Sequence, residues 1–573
     1  MGCTLSELCK REEGRMSWLL FSKNENDYQA DVGVKQHIVS NSQFVIRYDE
    51  QERFSGDSGI YQSGDIIKFI NGVILNLQEL LTEHETLIQF LNSERFFPDA
   101  FRGPFTGFMC DSSSATVFPN QTGDTAVFYY CDGGKFVSSN DFNEIYRYLK
   151  KCKIKLSYNE QAARHLLSFG WIIDGHTLAN EIKRVKPGRL VKFFNGSVEE
   201  SAYHLFDNTP VEMTLDEAIE KVDTGFRKAV DRCFRKDLEY GYDHHLADMS
   251  GGYDSRMVSW VARDLGYDNI TNITYAKTGS KEVEYAMQVS FALENEILYR
   301  PLDDLLFIYD IDEMIRENWG SAFYSGMTGG RRLLNSLNFS RYGLEHTGQI
   351  GDVVIGSFIK NIEDQSVHPE LICSSDVIEP MGIIDDYKNH EIFAMYNRGF
   401  YGVLSTHFIR AQRTFAVSPF IDVDFLDTCL SIPLKYRVGH LLYRSWMVTK
   451  YPKSLEIPST RSEQKNDHKI RHLIGKIAGK YKKQLVKIYK QRQGATASKG
   501  AMNPYDYWYE TNSRFKSFIN DYYSTNIGIM NSVPETQKLV LRVFKDGNCR
   551  DKIIALTVIA GYKEYFAGEF YEL

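Results

Sequence analysis

No CxxC pair occurs in the 573-residue sequence, and its nine cysteines are scattered along the chain. That argues against a disulfide framework and a cysteine-built zinc site, and reduced thiols in a cytoplasmic protein are expected. No apolar stretch approaches the roughly 18 residues needed to cross a bilayer. Glu7, Lys10, Arg11, Glu12, Glu13 and Arg15 break up the start of the chain, which excludes a secretory signal. The GxxxxGK[ST] loop of common NTPases and the GxGxxG turn of dinucleotide binders are missing too. So are internal repeats and low-complexity tracts. What is present is globular: 43% hydrophobic and 25% charged residues, over a length that calls for two or more cores.

The formal charge of -8 is unevenly spread. Residues 465–492 hold ten Lys or Arg against one acid, Asp467, so this segment carries +9 and leaves -17 for the remainder. Ile470, Leu473, Ile474, Ile477, Tyr481, Leu485 and Ile488 recur in it at helical spacing. Such a helix either packs on its own domain with a solvated basic face, or lies on an anionic membrane or an acidic partner. No interleaved aromatic set accompanies it, so nucleic-acid binding is not inferred.

Between Gln43 and Lys150 the chain reads as short β-rich runs at 44–48, 66–70, 105–109, 116–118 and 126–130, separated by turn residues. Apolar spacing over Leu77–Leu91 predicts a helix against them, giving a mixed α/β layered sandwich. Ala162 to Tyr203 reads as a transition with a tight turn at Lys186-Pro187-Gly188, and Leu215–Phe234 as a helix. A strand ending at Met249, a helix through Leu265, a strand at 270–275 and a helix at 281–293 then alternate, the signature of a parallel sheet covered on both faces.

The segment Asp248-Met249-Ser250-Gly251-Gly252-Tyr253-Asp254-Ser255-Arg256 joins such a strand to such a helix. Its glycines let backbone amides approach an anion, Ser250 and Ser255 add hydroxyls, and the helix presents its positive end. It resembles SGGxDS, the pyrophosphate-binding loop of ATP pyrophosphatases. Gly348-Gln349-Ile350-Gly351-Asp352 resembles the SGxGxDE segment of asparagine synthetases, and Ser418-Pro419-Phe420-Ile421-Asp422 resembles their RxPFLD. Ile70-Asn71-Gly72-Val73-Ile74-Leu75-Asn76 resembles the NGEIYN segment of their glutaminase half. Over about Met16 to Arg461 the chain is similar to the asparagine synthetase family, which includes the β-lactam synthetases.

That resemblance implies an Ntn-type αββα glutaminase-like domain over 16–205 and a doubly wound ATP-pyrophosphatase domain with helical additions over 206–573. It also implies ATP held by Ser250, Gly251, Gly252, Asp254, Ser255 and Gly348, with Mg²⁺ on Asp254 and Asp352. The reaction implied is activation of a carboxylate as its adenylate, with transfer to ammonia or an amine. Self-association is open.

The sequence departs from the family at its reactive positions. Ser17, after Met16, stands at the register of the glutaminase nucleophile, which works only as a first residue with a free α-amine. Met1-Gly2-Cys3-Thr4-Leu5-Ser6 fits an N-acylation site, which a start at Met16 would delete. Nothing resembles the GHRRLSI segment, so Asn71 and Gly72 are expected to mark a disused oxyanion site. Gln349 replaces the family's Glu or Tyr and cannot accept a proton. His440 replaces the Lys of KxLLR, where it could be cationic or a base, and Arg444 supplies a fixed positive charge. Three readings result: an ATP-dependent amide-forming ligase, a non-catalytic scaffold that binds nucleotide only, and a glutamine-hydrolysing asparagine synthetase.

Overall fold

Strand β1 (Trp18–Ser22) is buried at all five positions, so it cannot alternate and instead reads as one apolar run, the pattern of a strand covered on both faces. In the computed structural model it is central to a six-stranded antiparallel sheet, with β2 (Gln36–Ser40), β3 (Phe44–Asp49), β8 (Phe128–Asp132), β9 (Lys135–Ser139) and β10 (Lys183–Arg184), in the order β10-β8-β9-β1-β3-β2. A second antiparallel sheet of six contains β4 (Gly59–Ser63), β5 (Ile66–Gly72), β6 (Phe105–Cys110), β7 (Ser114–Pro119), β11 (Arg189–Phe194) and β12 (Ser197–Ala202). The structure describes residues 17–23, 36–326, 330–351, 353–359, 361–368, 383, 386–460 and 500–567. The expectations for Met1 to Met16, Asp352 and the basic segment 465–492 fall outside these.

The two sheets face each other through Leu20, Phe44, Ile46 and Phe136 on one side and Phe69, Phe108, Val117 and Phe193 on the other. Helix α1 (Leu87–Asn92) covers the second sheet's outer face with Leu87, Phe90 and Leu91. Helices α2 (Phe142–Lys151) and α3 (Glu160–Phe169) cover the first sheet's outer face. The layering is therefore αββα. The 77–91 region is two short helices rather than one, because Thr86 forms a capping box with Gln89 and restarts the helix there. The stretch from 162 to 203 is no mere transition: it supplies β10, β11 and β12, which extend both sheets.

Helix α4 (Leu215–Glu239) leads into a five-stranded parallel sheet of β13 (His244–Asp248), β14 (Ile270–Ala276), β15 (Glu296–Pro301), β16 (Tyr342–His346) and β17 (Ala416–Val417). Its order is β15-β14-β13-β16-β17, so the direction of winding reverses between β13 and β16. One face carries α4, α5 (Asp254–Asp264) and α6 (Lys281–Ala292), the last two tied to buried Asn272 through Ser259 and Ser290. The opposite face meets Leu333, Leu334 and Phe339 and α7 (Thr406–Arg410). After α8 (Leu441–Lys450), the last helix, α9 (Cys549–Phe566), returns to pack on α2 and α3 in one shared core.

Candidate functional site

In an open parallel sheet, ligands bind outside the carboxyl ends of the strands where the winding reverses. β13 ends there, and the next residues form the loop to α5. Within it, the Ser250 amide donates to Ser255 Oγ at 2.9 Å, the two serine hydroxyls lie 2.9 Å apart, and the Gly252 amide donates to Ser250 Oγ at 3.2 Å. The Gly251 amide donates to Glu282 Oε2 at 2.6 Å. Each of these amide donors ends on a side-chain oxygen of the chain. The backbone at Gly251 is closely covered: a Cβ there would lie 2.8 Å from Thr460 Cγ2 and 3.0 Å from Glu282 Cα.

The 348–351 segment lies against this loop. A Cβ on Gly348 would sit 2.3 Å from the Ser255 nitrogen, and one on Gly351 would sit 2.7 Å from Asp254 Cγ. Ile350 between them holds φ 69°, a left-handed backbone costly for a β-branched residue and typical of functional turns. The following stretch, Val353–Ser357, is kinked at Gly356, which holds φ 123°. Gln349 Nε2 donates to Thr406 Oγ1 at 2.7 Å, and Ser418 donates to the Gln349 carbonyl at 2.9 Å. Gln349 Oε1 is buried with no partner among the described residues.

The structure thus brings Ser250, Gly251, Gly252, Asp254, Ser255, Gly348 and Gln349 together at the carboxyl end of β13. Asp352 lies outside the described residues. Arg444 is exposed on α8, and His440, in a left-handed conformation at φ 65°, caps that helix. The contact from α8 to the loop is made by a residue not foreseen, Tyr443, whose hydroxyl donates to Asp254 Oδ1 at 3.0 Å. Arg256 was also missed. Fully buried, it donates at 2.7 Å to the carbonyls of Ser454, Ile457 and Pro458, fastening residues 454–458 to the start of α5.

A charged cluster lies at the carboxyl ends of the central strands. Arg410 donates to Asp248 Oδ2 at 2.9 Å, to Glu345, and to the Tyr275 hydroxyl at 2.9 Å. Burial pushes the Glu345 carboxyl far up, and Asp248 adds to this while Arg410 opposes it. Asp248 and Glu345 sit in strands that also hold His244, His245 and His346, so no break in an apolar pattern marked them out.

A second cluster on the other face has metal-ligand chemistry: Asp237, His245 and His346 are all buried. Asp237 Oδ2 lies 2.7 Å from His245 Nδ1 and 2.8 Å from His346 Nε2, and Asp237 Oδ1 accepts from the Leu344 amide at 2.7 Å. Burial would raise the Asp237 carboxyl, but the two histidines outweigh it and hold it low. Both nitrogens share one oxygen at hydrogen-bond length, the geometry of a proton-linked tie between α4 and the sheet.

In the αββα layers, Ser17 donates from its amide at 3.0 Å and its hydroxyl at 2.9 Å to Asp49 Oδ2. The groups of the expected oxyanion site are engaged internally. The Gly72 amide donates to Ser58 Oγ at 3.1 Å, and Asn71 Nδ2 donates to Gln51 Oε1 at 3.2 Å. Gln51 also donates to the Gly72 carbonyl at 2.8 Å. From the same loop Arg53 donates to the carbonyls of Phe339 at 2.8 Å, Tyr342 at 2.5 Å and Gly343 at 2.8 Å, beside β16.

No protein-family model matches the chain, and no curated protein matches it. Among solved structures it is similar to glutamine phosphoribosylpyrophosphate (PRPP) amidotransferase from B. subtilis complexed with ADP and GMP, at 8% identity and a TM-score of 0.22, over 51% of this chain and 76% of that one. It is likewise similar to the allosteric regulatory enzyme of purine biosynthesis, at 8% identity and a TM-score of 0.22, over 50% of this chain and 75% of that one. Likenesses of that size carry no argument, and the fold rests on the sheets described above.

Proposed function

We propose that the chain is an ATP-dependent amide-forming ligase of the asparagine synthetase type, activating a carboxylate as its adenylate and passing the acyl group to ammonia or an amine. The observation that carries this reading is the 250–255 loop, with 348–351 packed against it, at the switch point of the parallel sheet. There the Ser250 and Ser255 hydroxyls, the loop amides and the start of α5 would bind the phosphate chain, its oxygens replacing the side-chain oxygens that those amides now meet. Asp254, and Asp352 as the resemblance implies, would offer the hard oxygen donors that suit Mg²⁺, which when bound would neutralise phosphate charge. Tyr443 orients Asp254. Arg444, next to Tyr443 on α8, would offer a fixed positive charge.

The test is carboxylate-dependent release of pyrophosphate and AMP. The Asp254→Ala chain should lose it, and unchanged turnover in that variant would end the scheme.

A second reading, a scaffold that binds nucleotide without acyl transfer, is favoured by the Gln349–Thr406 pair, because neither side chain can take a proton from an amine at neutral pH. Mg-ATP binding without pyrophosphate release across a wide panel of carboxylates and amines would support it. Glutamine hydrolysis is disfavoured by the internal bonds on Asn71 and Gly72.

A further inference from the structure

Glu282 is one of two acids in the first turn of α6, and its carboxylate turns to the 250–255 loop. Its Oε2 accepts from the Gly251 amide at 2.6 Å, and the Gly251 Cα–H direction points at the same residue, where a Cβ would be 3.0 Å from both Glu282 Cα and Oε2. The other donors of the turn are shared between Ser250 and Ser255. A negatively charged oxygen belonging to the chain thus rests on the amide that a phosphate oxygen would need. Asp254, at the same turn, is a second carboxylate.

We infer that Glu282 is a resident anion of the loop, which admits a polyphosphate only when a divalent cation compensates the charge. This rests on the nucleotide reading above. The physical reason is electrostatic. ATP without metal would bring several negative charges to within a few ångströms of Glu282 and Asp254, both half-buried, where water screens less well than in bulk. Metal-bound ATP carries less net charge, and the cation gives the displaced Glu282 carboxylate a partner. The hydroxyl and amide donors that remain are neutral and do not discriminate between the two forms. Glu282 would then set the Mg²⁺ requirement for binding, separately from any need for metal in the chemistry.

The experiment is calorimetric titration of the full chain with ATP, once with Mg²⁺ and once with EDTA, for wild type, Glu282→Gln and Glu282→Ala. Glu284→Gln serves as control, because Glu284 pairs with Lys281 at 2.7 Å and has no bond to the loop. Wild type and the control should bind Mg-ATP well and metal-free ATP poorly. Both Glu282 variants should bind metal-free ATP about ten- to a hundredfold more tightly than wild type, so that the Mg²⁺ effect shrinks. Glutamine at 282 keeps an acceptor for the Gly251 amide and isolates the charge. If Glu282 were only a brace, both variants would weaken binding with and without metal. That result, or unchanged metal-free affinity, overturns the inference while wild-type Mg-ATP binding leaves the nucleotide reading standing. Failure of wild type to bind Mg-ATP overturns both.

Discussion

Adding one methyl group at Gly348 tests whether the 250–255 and 348–351 segments are as closely fitted as their backbones indicate. An alanine Cβ would lie 2.3 Å from the Ser255 nitrogen, 2.6 Å from the Asp254 carbonyl carbon and 2.6 Å from Ser255 Cα. Non-bonded carbons settle at about 3.5 Å or more, so the segments must part by about 1 Å. Every atom met is backbone, and no side chain can swing aside. The loop resists because Ser255 Oγ is tied to both the amide and the hydroxyl of Ser250. Overpacking of this kind costs about 1–3 kcal/mol. If the loop yields, the loss appears in Mg-ATP affinity as about a five- to 150-fold weakening. If it does not, the loss appears as a lower unfolding midpoint in urea. Calorimetry and urea unfolding on Gly348→Ala therefore read the same quantity between them, with Gly528→Ala as control, since a Cβ at 528 has nothing within 4 Å. A Gly348→Ala chain matching wild type in both measurements would refute the close packing.

The contact between the αββα layers and the second half of the chain should weaken at alkaline pH. His204 lies 2.9 Å from Asp99 and 3.6 Å from Asp427. Burial alone would lower its pKa, but the two carboxylates outweigh this and raise it from 6.5 to about 9. Its contribution is then complete below pH 6.5 and lost as pH rises through about 9. The urea midpoints of wild type and His204→Gln should differ at pH 6 and converge by pH 10, and a gap independent of pH would be the wrong outcome. Arg410→Met leaves Asp248 and Glu345 together without their cation, a buried-pair break worth about 3–5 kcal/mol. Denaturant unfolding reads it, and a loss under 1 kcal/mol would be too small for the network described. Glutamate should not form from glutamine with wild type or Ser17→Cys, because the Gly72 amide is already bonded to Ser58. A glutaminase signal from either chain would contradict that.

The loop at 250–255 was legible in the sequence because its constraints are local: a strand, two glycines, two hydroxyls and a helix start are consecutive. The α4–β13–α5–β14–α6 alternation was legible for the same reason, since helical and extended periodicities differ within a few residues. β1 was recognised by register with the family start and not as a strand, because a doubly buried strand has no alternation to read. The break at Thr86 was missed, as apolar spacing ran on across it while the cap lay in polar residues.

Tyr443, Arg256, Glu282 and the Arg410 cluster could not be read in advance. Each acts on a partner far away in sequence, 189 residues away in the case of Tyr443 and Asp254, and nothing in the local pattern ranks one buried arginine above another. Gln51 and Ser58 were equally silent, being ordinary polar residues until the fold sets them on Asn71 and Gly72.

The sequence by itself determined the strand and helix alternation from α4 to α6 and the glycine-bearing turn within it, because backbone preference and period are properties of neighbouring residues. Only the tertiary structure decided which oxygens meet that turn and which donors of the αββα layers are already engaged. Burial and charge pairing depend on distances between segments, and those exist only once the chain has closed.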